Sequence, residues 1–328
     1  MKTQLDQVNL TIHKLGNLFH SILLLAAMLF VLSLLGWLFA GSSGMKWVLI
    51  AGAISLILSP GLSPYIILRW YGWYGARPLS QTQTTALYSA LGELSRRAKL
   101  PDVPKLYHVP TRMLNAFTTG NRKNAAIAIT DGLLRALDTR ELVAVLAHEI
   151  SHLKNNDLWI MNLSDILSRL TSFLSTAGQF LLIFNLPLWL MSGYQISWIA
   201  ILVLIFAPLL TVFLQLALSR TREFDADLGA AALTGDPQGL ASALSKMERY
   251  KGGVLSRIFL PGHREPHPSI LRTHPQTEER IKRLLSLSKQ KPEISPLPHI
   301  LDENVSYIPE HMVQIRNKPR WRIGGIWY

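Results

Sequence analysis

The chain has 328 residues, of which 49% are hydrophobic and 16% charged, and it carries a formal net charge of +12 at pH 7. Soluble domains average about 25% charged residues, so this composition predicts segments that lie in lipid. The absence of cysteine excludes a disulfide framework and thiolate metal ligands. The positive charge comes with no nucleic-acid-binding motif, so we expect the lipid bilayer, and no nucleic acid, as a partner.

Four apolar segments are each long enough to cross a bilayer as an α-helix, which takes about 20 residues. Pro60 and Pro64 interrupt the second segment and Pro187 interrupts the third, so these two are weaker candidates than the others. The first segment is too long for the apolar core of a cleavable signal peptide, and we expect it to be a retained anchor. In chain order, the predicted spans are residues 17–40, 47–70, 171–191 and 197–219.

The distribution of lysine and arginine predicts which parts of the chain lie in the cytoplasm. The short connectors after the first and third spans hold a single charge, Lys46, and nearly all other basic residues lie outside the spans and connectors. By the positive-inside rule, we expect a cytosolic arm (1–16), a cytosolic domain in two parts (71–170 and 220–289) and a C-terminal tail (290–328).

Between the second and third spans, the stretch LVAVLAHEISHLKNND predicts an amphipathic helix that carries two histidines. Asp138 and Glu141 have capping-box spacing at its start. His148 and His152 lie one helical turn apart, so both imidazoles can reach one tetrahedral zinc ion, and Glu149 projects about 100° away, where it can hold a water molecule. The alternative interpretation is an ordinary surface helix with two histidines.

A catalytic zinc site needs a third protein ligand, which in a chain without cysteine must be His, Asp or Glu. Glu223 and Asp227 lie four residues apart on a helix that continues the fourth span. We expect Glu223 to be a ligand and Asp227 to accept a hydrogen bond from a ligating imidazole. The alternative is that Glu223 pairs with Arg220 or Arg222.

These motifs resemble those of a known family. AHEISH and SRTREFDAD, with LNAFTTG upstream and THPQTEERIKRL downstream, resemble the HtpX group of bacterial membrane-bound zinc metalloproteases, relatives of the CAAX prenyl endopeptidases. The resemblance covers roughly residues 17–287 and does not extend to the tail. It implies a mainly α membrane protein with four transmembrane helices and a cytosolic gluzincin-type α+β protease domain that carries a small β-hairpin or sheet.

The resemblance also implies residue roles. The ligands of one zinc ion per chain would be His148, His152 and Glu223, with Glu149 as general base and Asp227 as the hydrogen-bond acceptor of the first histidine. The implied activity is zinc-dependent endopeptidase action in the bacterial inner membrane, linked to membrane-protein quality control and stress response. The alternatives are a CAAX-type prenyl protease and a non-catalytic metal-binding scaffold.

Three further predictions concern substrate and transition state. His274 is our candidate for stabilising the oxyanion, and Arg280 is the second choice. The stretch 114–130 predicts two short strands around a turn, and we expect Asn115, Ala116 and Phe117 to bind extended substrate along a strand edge, unless the hairpin only packs on the zinc helix. Since Glu223 closely follows the fourth span, we expect membrane proteins as substrates, cleaved near the cytosolic face.

Overall fold

The computed structural model describes residues 2–58, 76–79, 84–192, 197–255 and 277–288. Its strands are β1 (Arg77–Pro78), β2 (Lys105–Val109), β3 (Ala116–Asn121) and β4 (Asn124–Thr130). Its helices are α1 (Lys2–Leu58), α2 (Thr85–Ala98), α3 (Asp131–Ala136), α4 (Thr139–Asn155), α5 (Asp157–Ser192), α6 (Trp198–Thr234), α7 (Pro237–Leu255) and α8 (Thr277–Ser288).

Within the described residues, three helices are long and apolar enough to cross a membrane: Leu15–Ile57 of α1, Asp157–Pro187 of α5, and α6. Large apolar side chains on these helices are exposed, for example Phe184 at 76% and Ile199 at 76%. Continuous apolar surface of this kind is typical of a face that contacts lipid. The prediction of a mainly helical protein with membrane helices is confirmed.

The first two predicted spans both begin within α1, which is not straight. Ala40 and Gly41 have non-helical backbone angles, and Gly41 has a φ of +59°. A Cβ built on Gly44 would lie 2.0 Å from the carbonyl oxygen of Gly36, whereas eight residues of straight helix span about 12 Å. The helix therefore turns back on itself at Gly41. Residues 59–70 of the second predicted span lie outside the described part, and a fourth crossing stays a prediction.

The membrane helices α5 and α6 are joined by a polar contact at a proline. Pro208 lacks the backbone N–H that would donate to the carbonyl of Leu204 one turn earlier. That carbonyl instead accepts hydrogen bonds from Ser175 Oγ and, at 3.3 Å, from Gln179 Nε2 of α5. An unsatisfied carbonyl in lipid costs several kcal/mol, about what these donors offset. Both α5 and α6 remain helical through their prolines, including Pro187.

The four described strands form one small mixed sheet in the order β1-β2-β4-β3. β2 and β4 are parallel, and β3 and β4 form an antiparallel hairpin in which Asn121 pairs with Asn124. The predicted pair of strands within residues 114–130 is therefore confirmed. β4 is buried from Ala125 to Thr130, whereas β3 is one of the two edge strands of the described sheet.

Helix α4 lies at the centre of the domain that this sheet covers. It packs against β3, α2, α6 and α7, and its residues Leu146 and Ile150 are fully buried. The predicted capping box is present, because Asp138 accepts from the backbone N–H of Glu141 and Glu141 accepts from that of Asp138. The helix ends at Asn155 and is capped by Asn156, which has left-handed backbone angles, and α5 starts at the next residue.

Candidate metal centre

Helices α4 and α6 bring two histidines and a carboxylate to one point. The Nε2 atoms of His148 and His152 lie 3.2 Å apart, with the rings inclined by 84°. Glu223 of α6 places Oε2 3.4 Å from His148 Nε2 and Oε1 3.8 Å from His152 Nε2. The three residues form the one group with metal-ligand chemistry found among the described residues.

The spacing of these donors can be compared with the geometry of a metal ion. Zinc binds imidazole nitrogen at ~2.0–2.1 Å, so a tetrahedral site has ligand atoms about 3.3 Å apart. The separations of 3.2 Å between the two Nε2 atoms and 3.4 Å from His148 Nε2 to Glu223 Oε2 are close to that figure, and His152 Nε2 lies 3.8 Å from the other oxygen, Oε1. Two imidazoles and one carboxylate also leave one of four positions free of protein. The described residues therefore fit a metal ion with an open coordination position.

Two aspartates orient the imidazoles. Asp157 Oδ2 lies 2.8 Å from His152 Nδ1, and Asp227 Oδ1 lies 3.1 Å from His148 Nδ1. An ionised carboxylate only accepts hydrogen bonds, so in a neutral ring it favours the proton on Nδ1 and leaves the lone pair of Nε2 for a metal. The contact of Asp227 with His148 is an ion-pair distance without hydrogen-bond geometry. The sequence predicted the partner of His148. It missed Asp157, whose signal was a carboxylate at the start of the next helix, five residues after His152.

The electrostatics of the metal-free chain favour positive charge at this point. Burial acts to lower the pKa of His148, but the carboxylates of Asp227 and Glu223, 3.1 and 3.4 Å away, outweigh it and raise the pKa to about 10. Burial also opposes protonation of His152, and its hydrogen bond to Asp157 raises the pKa above the ordinary histidine value. Surplus buried carboxylate charge is what a divalent cation would neutralise.

Arg280 of α8 brings a permanent positive charge to the edge of the centre. Its guanidinium donates twice to Asp227, at 2.7 Å each, and lies 2.9 Å from Glu223 Oε2. Its Nη2 is also 3.4 Å from His148 Nε2, and the side chain is 4% exposed. The sequence placed Arg280 second to His274 near the reacting atoms. His274 lies outside the described residues.

Glu149 lies beside the histidines and is held by the sheet. Its Oε2 accepts a 2.6 Å hydrogen bond from Thr118 Oγ of β3, and the residue is 8% exposed. The sequence singled out Glu149 but missed Thr118, because their contact joins positions 31 residues apart. Thr118 leaves Oε1 of Glu149 available to a further partner.

The predicted substrate-binding stretch lies at the start of β3. Ala116 and Phe117 are the first residues of the strand and pair with Ile129 and Ala128 of β4. Asn115 precedes the strand. Its carbonyl accepts from the backbone N–H of Thr130, and its own N–H donates to the hydroxyl of Thr130. In the described sheet, the other edge of β3 faces no further strand. The strand that holds Glu149 through Thr118 is therefore also an edge strand of the described sheet.

Comparison with known proteins identifies the family. The model for peptidase family M48 matches residues 81–288, a range that holds both histidines, Glu149, Glu223 and Arg280. The chain belongs to peptidase family M48. It is therefore a metalloprotease, a hydrolase, and its resemblance to the HtpX group is confirmed by the relatives.

Relatives of this M48 chain match it over most of their length. A protease HtpX homolog of Methylibium petroleiphilum is 34% identical over 294 residues, which cover 84% of this chain and 99% of the relative. Those of Ralstonia nicotianae and Trichormus variabilis are 35% and 34% identical and cover 83% and 86% of this chain. These relatives and the membrane helices make the M48 chain a membrane metalloprotease.

Among solved structures, S. mikatae Ste24p matches this M48 chain with a TM-score of 0.49 and 21% sequence identity. The match covers 84% of this chain and 67% of that one.

Proposed function

We propose that this M48 chain is an integral-membrane zinc endopeptidase that hydrolyses peptide bonds of membrane proteins near the cytosolic face of the bacterial inner membrane, in membrane-protein quality control. The observation that carries the proposal is the triangle of donors on His148, His152 and Glu223 with Glu149 one residue from the first histidine. Metal ligands and a buried carboxylate together are the groups that metal-assisted hydrolysis requires.

The metal in this proposal is one zinc ion, held by His148, His152 and Glu223. The donor set of two imidazoles and a carboxylate is typical of catalytic zinc, and the tetrahedral spacing supports it. Bound zinc supplies Lewis acidity, which polarises the scissile carbonyl and makes water nucleophilic near neutral pH. Asp157 and Asp227 keep the Nε2 atoms of the two rings directed at the ion.

Glu149 is the proposed general base. Its carboxylate takes the proton of the attacking water and then passes it to the leaving amine, so that no covalent intermediate with the protein is needed. Thr118 donates to Oε2 and thereby fixes the plane of the carboxylate. Oε1 is the atom left to accept the proton.

Arg280 is the described residue best placed to stabilise negative charge that develops on the carbonyl oxygen, because its guanidinium lies 3.4 Å from His148 Nε2 and is buried. His274, which lies outside the described residues, is proposed for the same task. Substrate would bind in extended form along Asn115, Ala116 and Phe117, where an outer strand offers backbone hydrogen bonds regardless of substrate sequence.

The substrate class is argued from the distance to the membrane. Phe213 of α6 is 58% exposed, as a lipid-facing side chain would be. Glu223 lies on the same helix about 15 Å further along its axis, at ~1.5 Å per residue. At this distance from the lipid-facing part of α6, the site can be reached by a peptide bond close to the bilayer surface. This favours membrane proteins and their juxtamembrane loops as substrates.

The deciding experiment replaces Glu149 by Gln in the full-length protein purified in detergent. We expect one zinc per chain to be retained and cleavage of a membrane-protein substrate to fall ~10²–10⁴-fold, the usual range for loss of a general base. Glu93→Gln, on the surface of α2, is the matched control and should leave both unchanged. Undiminished cleavage by Glu149→Gln would rule the mechanism out.

The same preparation separates the alternatives. A CAAX-type prenyl protease would cleave a prenylated peptide far better than the matched peptide without the prenyl group. A non-catalytic scaffold would bind zinc without cleaving either. Stoichiometric binding of a different divalent ion in preference to zinc would overturn the metal assignment alone.

A further inference from the structure

A buried hydrogen-bond network connects the metal centre to the first membrane helix. It starts at His152, whose Nδ1 lies 2.8 Å from one oxygen of Asp157. The other oxygen of Asp157 accepts a 2.7 Å hydrogen bond from Nε of Arg222. Arg222 also donates to Ser21 of α1 at 3.2 Å and to Asp225 at 2.6 Å. The network thus joins residues of four helices, α4, α5, α6 and α1.

Two residues of α1, Asn17 and Ser21, hydrogen-bond to the rest of the network. Asn17 donates from Nδ2 to Asp225 Oδ1 at 3.1 Å. One turn later, the hydroxyl of Ser21 donates to the carbonyl of Asn17 at 2.8 Å and accepts from Arg222. Both oxygens of Asp225 are thus engaged, one from its own helix and one from the first membrane helix.

The network is buried, so its geometry is tightly determined. Asp157, Arg222 and Asp225 are 2%, 4% and 7% exposed. Removing one partner from such a set leaves a buried charge without compensation, which is far more costly than loss of a surface ion pair. The rigid fork of the guanidinium also fixes the directions of the acceptors it binds, which a lysine would not do.

We propose that Arg222 is a positioning residue for the metal centre: through Asp157 it fixes the ring of His152, and through Ser21 and Asp225 it makes that geometry depend on the seating of the first membrane helix. The inference rests on the proposed metal-binding role of His152. Arg222 contacts no ligand itself in the network. Ser21 contacts Arg222 but neither Asp157 nor His152, so it is one hydrogen bond further from the proposed metal ligands than Arg222 is.

The test measures zinc affinity of the full-length protein in detergent by competition with a chelating indicator. Loss of a partner behind a metal-ligating histidine typically lowers affinity ~10–100-fold, and we expect this for Asp157→Asn and for Arg222→Gln. Arg220→Gln is the matched control, because Arg220 is an exposed arginine two residues earlier in the same helix. Its affinity should equal that of the unaltered protein.

A double-mutant cycle asks whether Arg222 acts through Asp157. If it does, Asp157→Asn with Arg222→Gln loses no more affinity than the more damaging single change. Additive losses would overturn the inference, because a general effect on folding or on neighbouring Glu223 would add to that of Asp157→Asn. Melting of the zinc-free variants reports separately on stability.

Ser21→Ala tests the link to the first membrane helix and also decides the case if Arg222→Gln does not fold. It removes two hydrogen bonds, the one accepted from Arg222 and the one donated to the carbonyl of Asn17, and we expect affinity to fall about threefold to tenfold. An unchanged zinc affinity of Ser21→Ala would overturn the inference that the first membrane helix influences the metal centre. Absence of stoichiometric zinc in the unaltered protein would instead overturn the proposed function, so the two failures are distinguishable.

Discussion

The protonation state of His148 governs how the proposed metal site is filled. Its pKa is raised to about 10 in the metal-free chain, so the ring is protonated at neutral pH. Zinc needs the lone pair on Nε2, and binding must therefore release that proton. Each unit of pH below the raised pKa then lowers the apparent zinc affinity about tenfold, since protons compete with the metal.

This gives a pH dependence with a definite sign. We expect zinc affinity to keep rising between pH 7 and 9, where an ordinary histidine with a pKa of about 6.5 would no longer contribute. Chelator competition at several pH values measures the slope. Asp227→Asn removes a carboxylate charge that raises the pKa of His148, and it should flatten the slope in this range. An affinity that is constant above pH 7 would contradict the expectation.

Thr118 matters through one hydrogen bond to the proposed base. Thr118→Val keeps the shape of the side chain but removes the 2.6 Å donor to Glu149. A hydrogen bond to a charged group is worth about 1.5–3 kcal/mol, so we expect kcat to fall ~10–100-fold with zinc content unchanged. Thr119→Val, at the next position of β3, is the comparison and should be far less harmful. Equal effects of the two would assign the loss to the strand as a whole.

At the level of elements, the contact between α4 and α6 sets the distance between the two halves of the metal centre. A Cβ built on Gly229 would lie 1.8 Å from Oγ of Ser151, a buried residue between the two histidines. The absence of a side chain at Gly229 thus lets the helices approach closely. Glu223 lies on the same helix and reaches His148 and His152 only at this separation.

Gly229→Ala should therefore disturb the geometry of the proposed metal centre, although residue 229 is not one of its ligands. We expect overpacking to lower the free energy of unfolding by about 1–3 kcal/mol and to weaken zinc binding. Gly92→Ala on α2 is the control, because nothing lies within 4 Å of an added Cβ there. Combining Gly229→Ala with Ser151→Gly moves the small side chain to the other helix and should restore affinity. No recovery in the pair would show that the contact is not the cause.

At the level of the whole molecule, the proposed site shares its helices with the membrane-spanning segments. α5 begins at Asp157, which holds His152, and continues as a candidate span. α6 is a candidate span that also carries Glu223 and Asp227. The proposed metal centre is thus built on helices that are also candidate membrane spans, which would keep it close to the bilayer surface.

This arrangement predicts a strong preference for substrates in the same membrane. We expect kcat/KM for a juxtamembrane loop in a co-reconstituted membrane protein to exceed that for the same sequence as a free peptide by at least ~10²-fold. The reason is that confinement to one bilayer raises the effective concentration of the bond. Rates are measured in proteoliposomes that contain both proteins. Equal values for the loop and the free peptide would contradict the membrane-protein substrate class.

The amino-acid sequence determined the local features of this protein. Helical periodicity placed His148 and His152 on one face, and the capping box at Asp138 set where their helix begins, because both depend on residues a few positions apart. Apolar length likewise predicted the membrane helices. Glu223 followed from the need for a third ligand and from a family resemblance, which pointed to a position that spacing along the chain could not select.

Only the tertiary structure decided how these pieces meet. The hydrogen bonds of Thr118 to Glu149 and of Arg222 to Asp157 join positions 31 and 65 residues apart. Such contacts leave no periodic signal, because they depend on how β3 packs on α4 and how α6 packs on α5. The sequence therefore predicted the groups that can bind metal and transfer a proton. The side chains that orient these groups depend on how elements distant in the sequence pack together.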